Sequence, residues 1–221
     1  GVGLGISSVA WSWNSAGGNA TRYTVRTATA ALPIVLPGGG DILVTNYTQT
    51  ALKPNVPYGI QVEAFDNSGS GGLTPIVTHY TYAAAPSGLG RIAVSSLSMG
   101  IAWNTNSNPG YTRYEVSYST DNFVQYAATA APFSFGFSTY SISGLEAGTS
   151  YYVRVRAEND EPGGFGGPVQ TAFAGLFTQT VPGRVANGKA TGLGISSIAW
   201  NWNSTGGGAT LYRTYDGYNG L

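Results

Sequence analysis

The side chains with any capacity for chemistry are few. Glu158, Asp160 and Glu161 form the densest acidic group in the 221-residue chain. Carboxylate oxygens are what a hard cation such as Ca2+ prefers, which makes these three the weak metal candidates. They lack the ligand spacing of a dedicated calcium loop, and acids beside a Gly-rich stretch read first as solvated loop residues. His79 is the single histidine and there is no cysteine. A zinc site, a thiol nucleophile or a Ser-His-Asp arrangement therefore has no residues to be built from. A carboxylate pair for glycoside hydrolysis needs two acids facing each other across a cleft, and loop acids supply no such pair. The Gly-Gly-Phe-Gly-Gly run at 163–167 fits neither dinucleotide nor P-loop spacing, so its glycines read as turn residues. No catalytic set, metal site or cofactor site is expected, and the chain is read as not an enzyme.

Aromatic side chains are the other source of recognition chemistry, because exposed Trp and Tyr rings make saccharide platforms. Tyr82, Tyr126, Tyr152 and Phe165 are the exposed candidates. They are scattered over different strands and loops, and no platform is predicted. Asn19, Asn46 and Asn203 each begin an Asn-X-Ser/Thr sequon and are candidate glycan acceptors. Three sequons are what chance gives for this content of Asn, Ser and Thr.

The bulk composition narrows the partners. Charged residues are 9% of the chain against roughly 25% in ordinary globular proteins, and 10 basic side chains balance 10 acidic ones. No basic cluster exists to attract nucleic acid or an anionic membrane surface. A net charge of +0 weakens the repulsion that keeps copies apart, so self-association is expected. No apolar run reaches the length of a membrane-spanning helix. The Ser, Thr, Asn and Gly content leans towards an extracellular or cell-surface setting.

What positions these residues is a repeat. The stretch at 3–21, Gly-Leu-Gly-Ile-Ser-Ser-Val-Ala-Trp-Ser-Trp and onward, returns at 192–210 with 15 of 19 positions identical. A reduced copy lies around Trp103, so Trp11, Trp103 and Trp200 fall 92 and 97 residues apart. That period is the size of one small β-sandwich. Sustained helical periodicity is absent, Gly occurs 33 times, and short alternating segments rich in Val, Ile, Thr and Tyr are separated by Gly, Pro and Asn clusters. In residues 6–13 alternation sends Val9, Trp11 and Trp13 to one face. Residues 41–47, 58–64 and 75–82 read as further strands, and 66–72 as a loop. The second repeat runs through strands at 89–94, 98–104, 113–118, 138–143, 151–157 and 169–179.

Two segments carry a family resemblance. Leu145, Tyr151, Val153, Val155 and Ala157 keep the spacing Leu-x5-Tyr-x-Val-x-Val-x-Ala, and Leu52, Tyr58, Ile60, Val62 and Ala64 repeat it. The pattern resembles the fibronectin type III domain. The resemblance implies that Tyr58 and Tyr151 are tyrosine corners at the start of strand F. It also implies that Trp11, Trp103 and Trp200 anchor cores from strand B. The Arg-Gly-Asp loop through which some members of that family bind integrins is absent. The fold class is all-β: tandem immunoglobulin-like (fibronectin type III) sandwiches, two near-complete plus a partial third.

The expected organisation is repeat one over 1–83, repeat two over 84–180 and a partial repeat three over 181–221. Repeat one starts on the Trp strand with strand A largely missing. Repeat three holds only strands A, B and C. The expected role is a non-enzymatic structural or adhesive module of an extracellular surface or filament-forming repeat protein. Its expected partners are further copies of itself or a continuation of the same repeat chain, with a glycan or surface ligand as a further partner. The alternative is a spacer or carbohydrate-binding accessory region of a larger secreted polysaccharide-acting enzyme.

Overall fold

The structure is a computed structural model that describes residues 1–15, 17, 21–28, 34–160, 174–204 and 211–214. Every described element is a strand. The first repeat contains β1 (Val2–Gly5), β2 (Ser8–Ser12), β3 (Arg22–Thr27), β4 (Asn46–Gln49), β5 (Pro57–Asp66), β6 (Gly69–Leu73) and β7 (Val77–Tyr80). The second contains β8 (Ser87–Val94), β9 (Ser98–Asn104), β10 (Arg113–Ser119), β11 (Ala128–Phe135), β12 (Thr139–Ser143), β13 (Ser150–Glu158) and β14 (Ala174–Gln179). The third contributes β15 (Ala186–Gly194) and β16 (Ser197–Asn203). Among the described residues no helix is long and apolar enough to cross a membrane.

Each of the first two repeats is a pair of antiparallel sheets facing one another. In repeat two, β12-β9-β8 packs on β11-β10-β13-β14, and in repeat one β1-β2-β4 packs on β3-β5-β6 with β7 also on β5. Strand alternation supplies the core. Met99, Ile101 and Trp103 point from β9 towards Tyr114 and Val116 of β10 and Tyr151, Val153 and Val155 of β13, all buried. Repeat one repeats the scheme with Val9 and Trp11 against Tyr23, Val25, Ile60 and Val62. The tyrosine corners are present in both repeats. The Tyr58 hydroxyl accepts from Lys53 N at 2.8 Å, and the Tyr151 hydroxyl accepts from Glu146 N at 2.9 Å.

Strand A of repeat one is short but present, which corrects the expectation that the chain opens directly on the Trp strand. Val2 pairs with Ala10, Gly3 with Val9 and Gly5 with Ser8, so the Gly-Leu-Gly segment ends strand A and Ile6-Ser7 forms the turn into β2. A Cβ on Gly3 would lie 2.8 Å from the Tyr82 ring, so only glycine lets that ring cross the strand. Two further differences lie in repeats one and two. Residues 69–72, expected within a loop, join Leu73 to form β6 against β5, although every residue of β6 is exposed. Strand β11 has no counterpart in the sequence reading. Its Ala- and Thr-rich segment alternates weakly, and Pro132 is tolerated because β11 lies at the sheet edge.

Trp200 also departs from expectation. The sequence assigns it to a core, yet it is 64% exposed, beside Ile198 at 59%. The reason is architectural. β15 and β16 pair only with each other among the described residues, and no second sheet covers their apolar face. Burying an aromatic side chain of roughly 150–250 Å² contributes roughly 4–6 kcal/mol at about 25 cal/mol per Å². Trp103 gains that burial and Trp200 does not. Trp103→Ala is therefore expected to destabilise repeat two by about 3–5 kcal/mol. Trp200→Ala is expected to stay within about 0.5 kcal/mol. Hydrogen exchange of the β9 and β16 amides checks both, and an equal loss at the two positions would place Trp200 under a second layer.

Candidate functional site

Polar residues converge at the junction of repeats one and two. The turn before β5 contains Lys53-Pro54-Asn55, and Asn55 adopts a left-handed backbone (φ 51°) that asparagine tolerates better than most residues. That conformation turns its side chain out of repeat one and into the end of repeat two, where it is completely buried. Asn55 Nδ2 donates to Thr112 Oγ1 at 2.8 Å and to Asp160 Oδ2 at 3.3 Å. Its Oδ1 accepts from Asp160 N at 2.9 Å, and its main-chain carbonyl accepts from the Tyr111 hydroxyl at 2.8 Å. Its own N–H donates to the Tyr82 carbonyl at 3.1 Å. A buried amide satisfied this fully favours one arrangement of its surroundings, because each alternative strands a polar group.

The connection between the repeats is held by the same end of repeat two. Asn108, itself buried, accepts from Ala84 N at 2.7 Å and donates to Ala84 O at 2.8 Å, so both main-chain polar groups of Ala84 are held by one side chain. Asn106 Nδ2 donates to Ala85 O at 2.6 Å. Ala83 packs into the core of repeat two.

The acidic candidates belong to this junction. Glu158 lies at the end of β13 and is 6% exposed, with Arg113 Nη2 at 2.9 Å from its Oε2. Asp160 stands between Asn55 and Arg113, whose Nε is 3.7 Å from Oδ1. Neither is a solvated loop acid, since both carboxylates face the Arg113 guanidinium. Among the described residues no three His, Cys, Asp or Glu side chains group as metal ligands. Burial pushes both carboxyls above their ordinary range, with Arg113 opposing the rise at each and the Asn55 hydrogen bond also opposing it at Asp160. Glu161, Phe165, the Gly-rich run at 163–167 and Asn19 lie outside the described residues.

The other singled-out residues fall in two groups. Trp11 and Trp103 are buried, Tyr151 is buried, Tyr58 is half-buried, and the Trp11 indole donates to Gln49 Oε1 at 3.2 Å. His79 is half-buried on β7, and the acceptor candidates Asn46 and Asn203 are exposed at strand ends. Of the exposed aromatic candidates, Tyr152 has an aromatic neighbour that the sequence reading does not include. Tyr152 and Phe177 are cross-strand partners with ring centroids 4.7 Å apart. The Arg154 guanidinium lies 3.8 Å above the ring of Phe123 on the same sheet face. Register between β13 and β14 brings the pair together, and only the register would have revealed it.

Two facing antiparallel sheets, paired tyrosine corners and a Trp in strand B give the first two repeats the fold of tandem fibronectin type III-like domains. Residues 84–172 match the sequence model of the fibronectin type III domain. A two-domain fibronectin type III segment of chicken tenascin shares the fold, with a TM-score of 0.53 over 80% of this chain and 94% of that one at 16% identity. Contactin-6 of Mus musculus is 31% identical over 121 residues, covering 51% of this chain and 12% of contactin-6. Exoglucanase B of Cellulomonas fimi is 26% identical over 199 residues, 82% of this chain and 17% of that enzyme. The chain thus spans a small part of the length of these relatives.

The raised carboxyls at the junction fix the sign of its pH response. A carboxyl whose folded pKa exceeds its unfolded value binds its proton more tightly when folded, so its contribution is present below the unfolded value and is lost as pH rises through the folded one. The junction is expected to be more stable just above the ordinary carboxylate range than at neutral pH. Hydrogen exchange of the Asp160 amide across that interval measures it, and faster exchange on acidification beyond the intrinsic pH effect would contradict it.

Proposed function

We propose that the chain is a non-enzymatic structural and adhesive module of an extracellular surface or filament-forming protein, in which repeats one and two act as one stiff segment. The observation that carries this reading is the buried Asn55 lock together with the hold of Asn108 on Ala84. A spacer that transmits position or force needs a junction with one preferred angle, and inter-domain contacts without such a lock leave relative motion as the default. Self-association is part of the proposal. The uncovered face of β15 and β16, with Trp200 and Ile198, suits completion by strands of a further repeat or of a neighbouring copy.

The similarity to contactin-6 supports adhesion. The alignment with exoglucanase B across 82% of the chain favours a second reading, a spacer or accessory region of a larger polysaccharide-acting enzyme. Beads coated with the chain separate the two, because the adhesive module clusters beads with one another and the accessory region attaches them to cellulose.

Rigidity is tested at the lock. The absence of cysteine makes spin labels at Thr50→Cys and Ser143→Cys unique. Asn55→Gly keeps the left-handed turn but leaves Asp160 N and Thr112 without their partner, at a cost of about 1–3 kcal/mol. The distance distribution between the labels is expected to be narrow in the parent chain and broad in Asn55→Gly. Equal widths in the two would remove the lock as the source of stiffness.

A further inference from the structure

At the far end of β13 from the junction, the outer face of repeat two carries an open groove of about 510 Å³. Its size lies within the roughly 300–1,000 Å³ of small-ligand sites. Asn122, Phe123, Tyr152, Arg154, Gly175 and Phe177 line it. Tyr152 and Phe177 form one wall, and Phe177 is 59% exposed. The Arg154 guanidinium, layered on Phe123 and donating from Nε to Ser117 Oγ at 3.2 Å, forms the other.

Two features of the groove are not demanded by the fold. Gly175 sits opposite Arg154 in the β13–β14 register with a backbone outside the left-handed region, and a Cβ there would meet nothing within 4 Å. A larger strand former would fit, and its absence keeps the groove open. Phe123 holds a left-handed backbone (φ 62°) directly after Asn122 (φ 59°), which is unfavourable for a bulky residue. The loop that imposes it is tightly bound. Asp121 accepts from Val124, Gln125 and Tyr126 N, and Ser119 Oγ accepts from Phe123 N at 3.1 Å. The loop thus spends backbone strain to hold a ring over Arg154.

The charge of the groove selects its occupant. Its described lining carries one formal charge, the Arg154 cation, and no acid. Two acids lie near it: Glu115 is engaged by Arg156 through contacts of 3.0 Å at both carboxylate oxygens, and Asp121, in the Phe123 loop, is taken up by the N–H groups of Val124, Gln125 and Tyr126. We propose that this groove binds a pyranoside carrying a carboxylate, of the uronic-acid class. The C–H face of the sugar ring stacks on the Tyr152–Phe177 wall, and its carboxylate meets the guanidinium edge. A proline-rich peptide fits less well, since it presents no anion and requires successive aromatic-walled pockets along its length. The site lies away from the junction, so it stands or falls separately from the stiffness of the two-repeat segment.

The test is an NMR titration of the full chain with trigalacturonate, with cellotriose and an oligoproline peptide as comparisons. Trigalacturonate is expected to shift the amides of Arg154, Gly175 and Phe177 at millimolar concentration. Gly175→Val is expected to weaken binding by about tenfold or more with an unchanged melting temperature, and Phe177→Ala to do the same. Silence at these amides, equal affinity for cellotriose, a response to oligoproline alone, or full binding by folded Gly175→Val would each overturn the proposal.

Discussion

An antiparallel strand pair with one apolar face is stable only when a second layer covers that face, and this chain displays the constraint three times. Nearly the same hairpin sequence carries Trp11 and Trp200, and a reduced copy of it carries Trp103. The Trp11 and Trp103 rings are 2% and 6% exposed, because strands three and five of repeat one and their counterparts in repeat two close over them. The Trp200 ring is 64% exposed, although 15 of 19 residues around it match those around Trp11. Local sequence therefore specifies the hairpin, while burial is a property of the strands that follow. The glycines show the same division. Gly3 is crowded by Tyr82, whereas its counterpart Gly192 meets nothing within 4 Å.

Three of the acids lie in partly buried pairs between strands. Glu158 and Arg113, and Glu115 and Arg156 at 3.0 Å, face each other directly in the β10–β13 ladder, and Glu63 reaches Arg26 diagonally at 2.8 Å. These pairs are partly buried, so solvent screens them less than exposed pairs, and each fixes the register of the two strands that carry it. The exterior mixes hydroxyls, amides and glycines with exposed aliphatic side chains such as Ile34, Leu43 and Val124 and carries few charges, which suits repeated contact with other surfaces better than a strongly charged one.

The sequence reveals those features that repeat at short range. Alternation at Tyr58-x-Ile60-x-Val62 and Tyr151-x-Val153-x-Val155 places the F strands and their inward faces, and the Leu-x5-Tyr spacing is a local signature of the corner hydrogen bond. Features that depend on distant partners stay hidden. Strand β6 is glycine and serine apart from Leu73 and exists only because β5 offers backbone partners. Asn55 and Asp160 are 105 residues apart in sequence, and nothing local marks either as buried. Glu158 and Asp160 read as solvated because charge beside glycine usually is. Glu158 is covered by Arg113 across its own sheet and Asp160 by Asn55 of the neighbouring repeat, partners that short-range patterning cannot register. Tyr152 and Phe177 meet through strand register alone.

Beside the grip of Asn106 and Asn108 on the connection, the junction uses one side chain placed on a generic turn. Repeat two builds the same turn before its F strand, where Gly148 takes φ 63° and its N–H donates to the Val181 carbonyl at 3.0 Å. Asn55 takes φ 51° and donates to the Tyr82 carbonyl at 3.1 Å. The backbone hydrogen bonding agrees, and both Thr81 and Thr180 direct their hydroxyls at the turn, to the carbonyls of Lys53 and Glu146. Only the amide differs. The left-handed position admits glycine and asparagine with comparable ease, so the choice between them costs the turn little. It decides instead whether a repeat carries a side chain that can enter its successor. The same sandwich can thereby be linked stiffly or loosely through one residue, without altering either core.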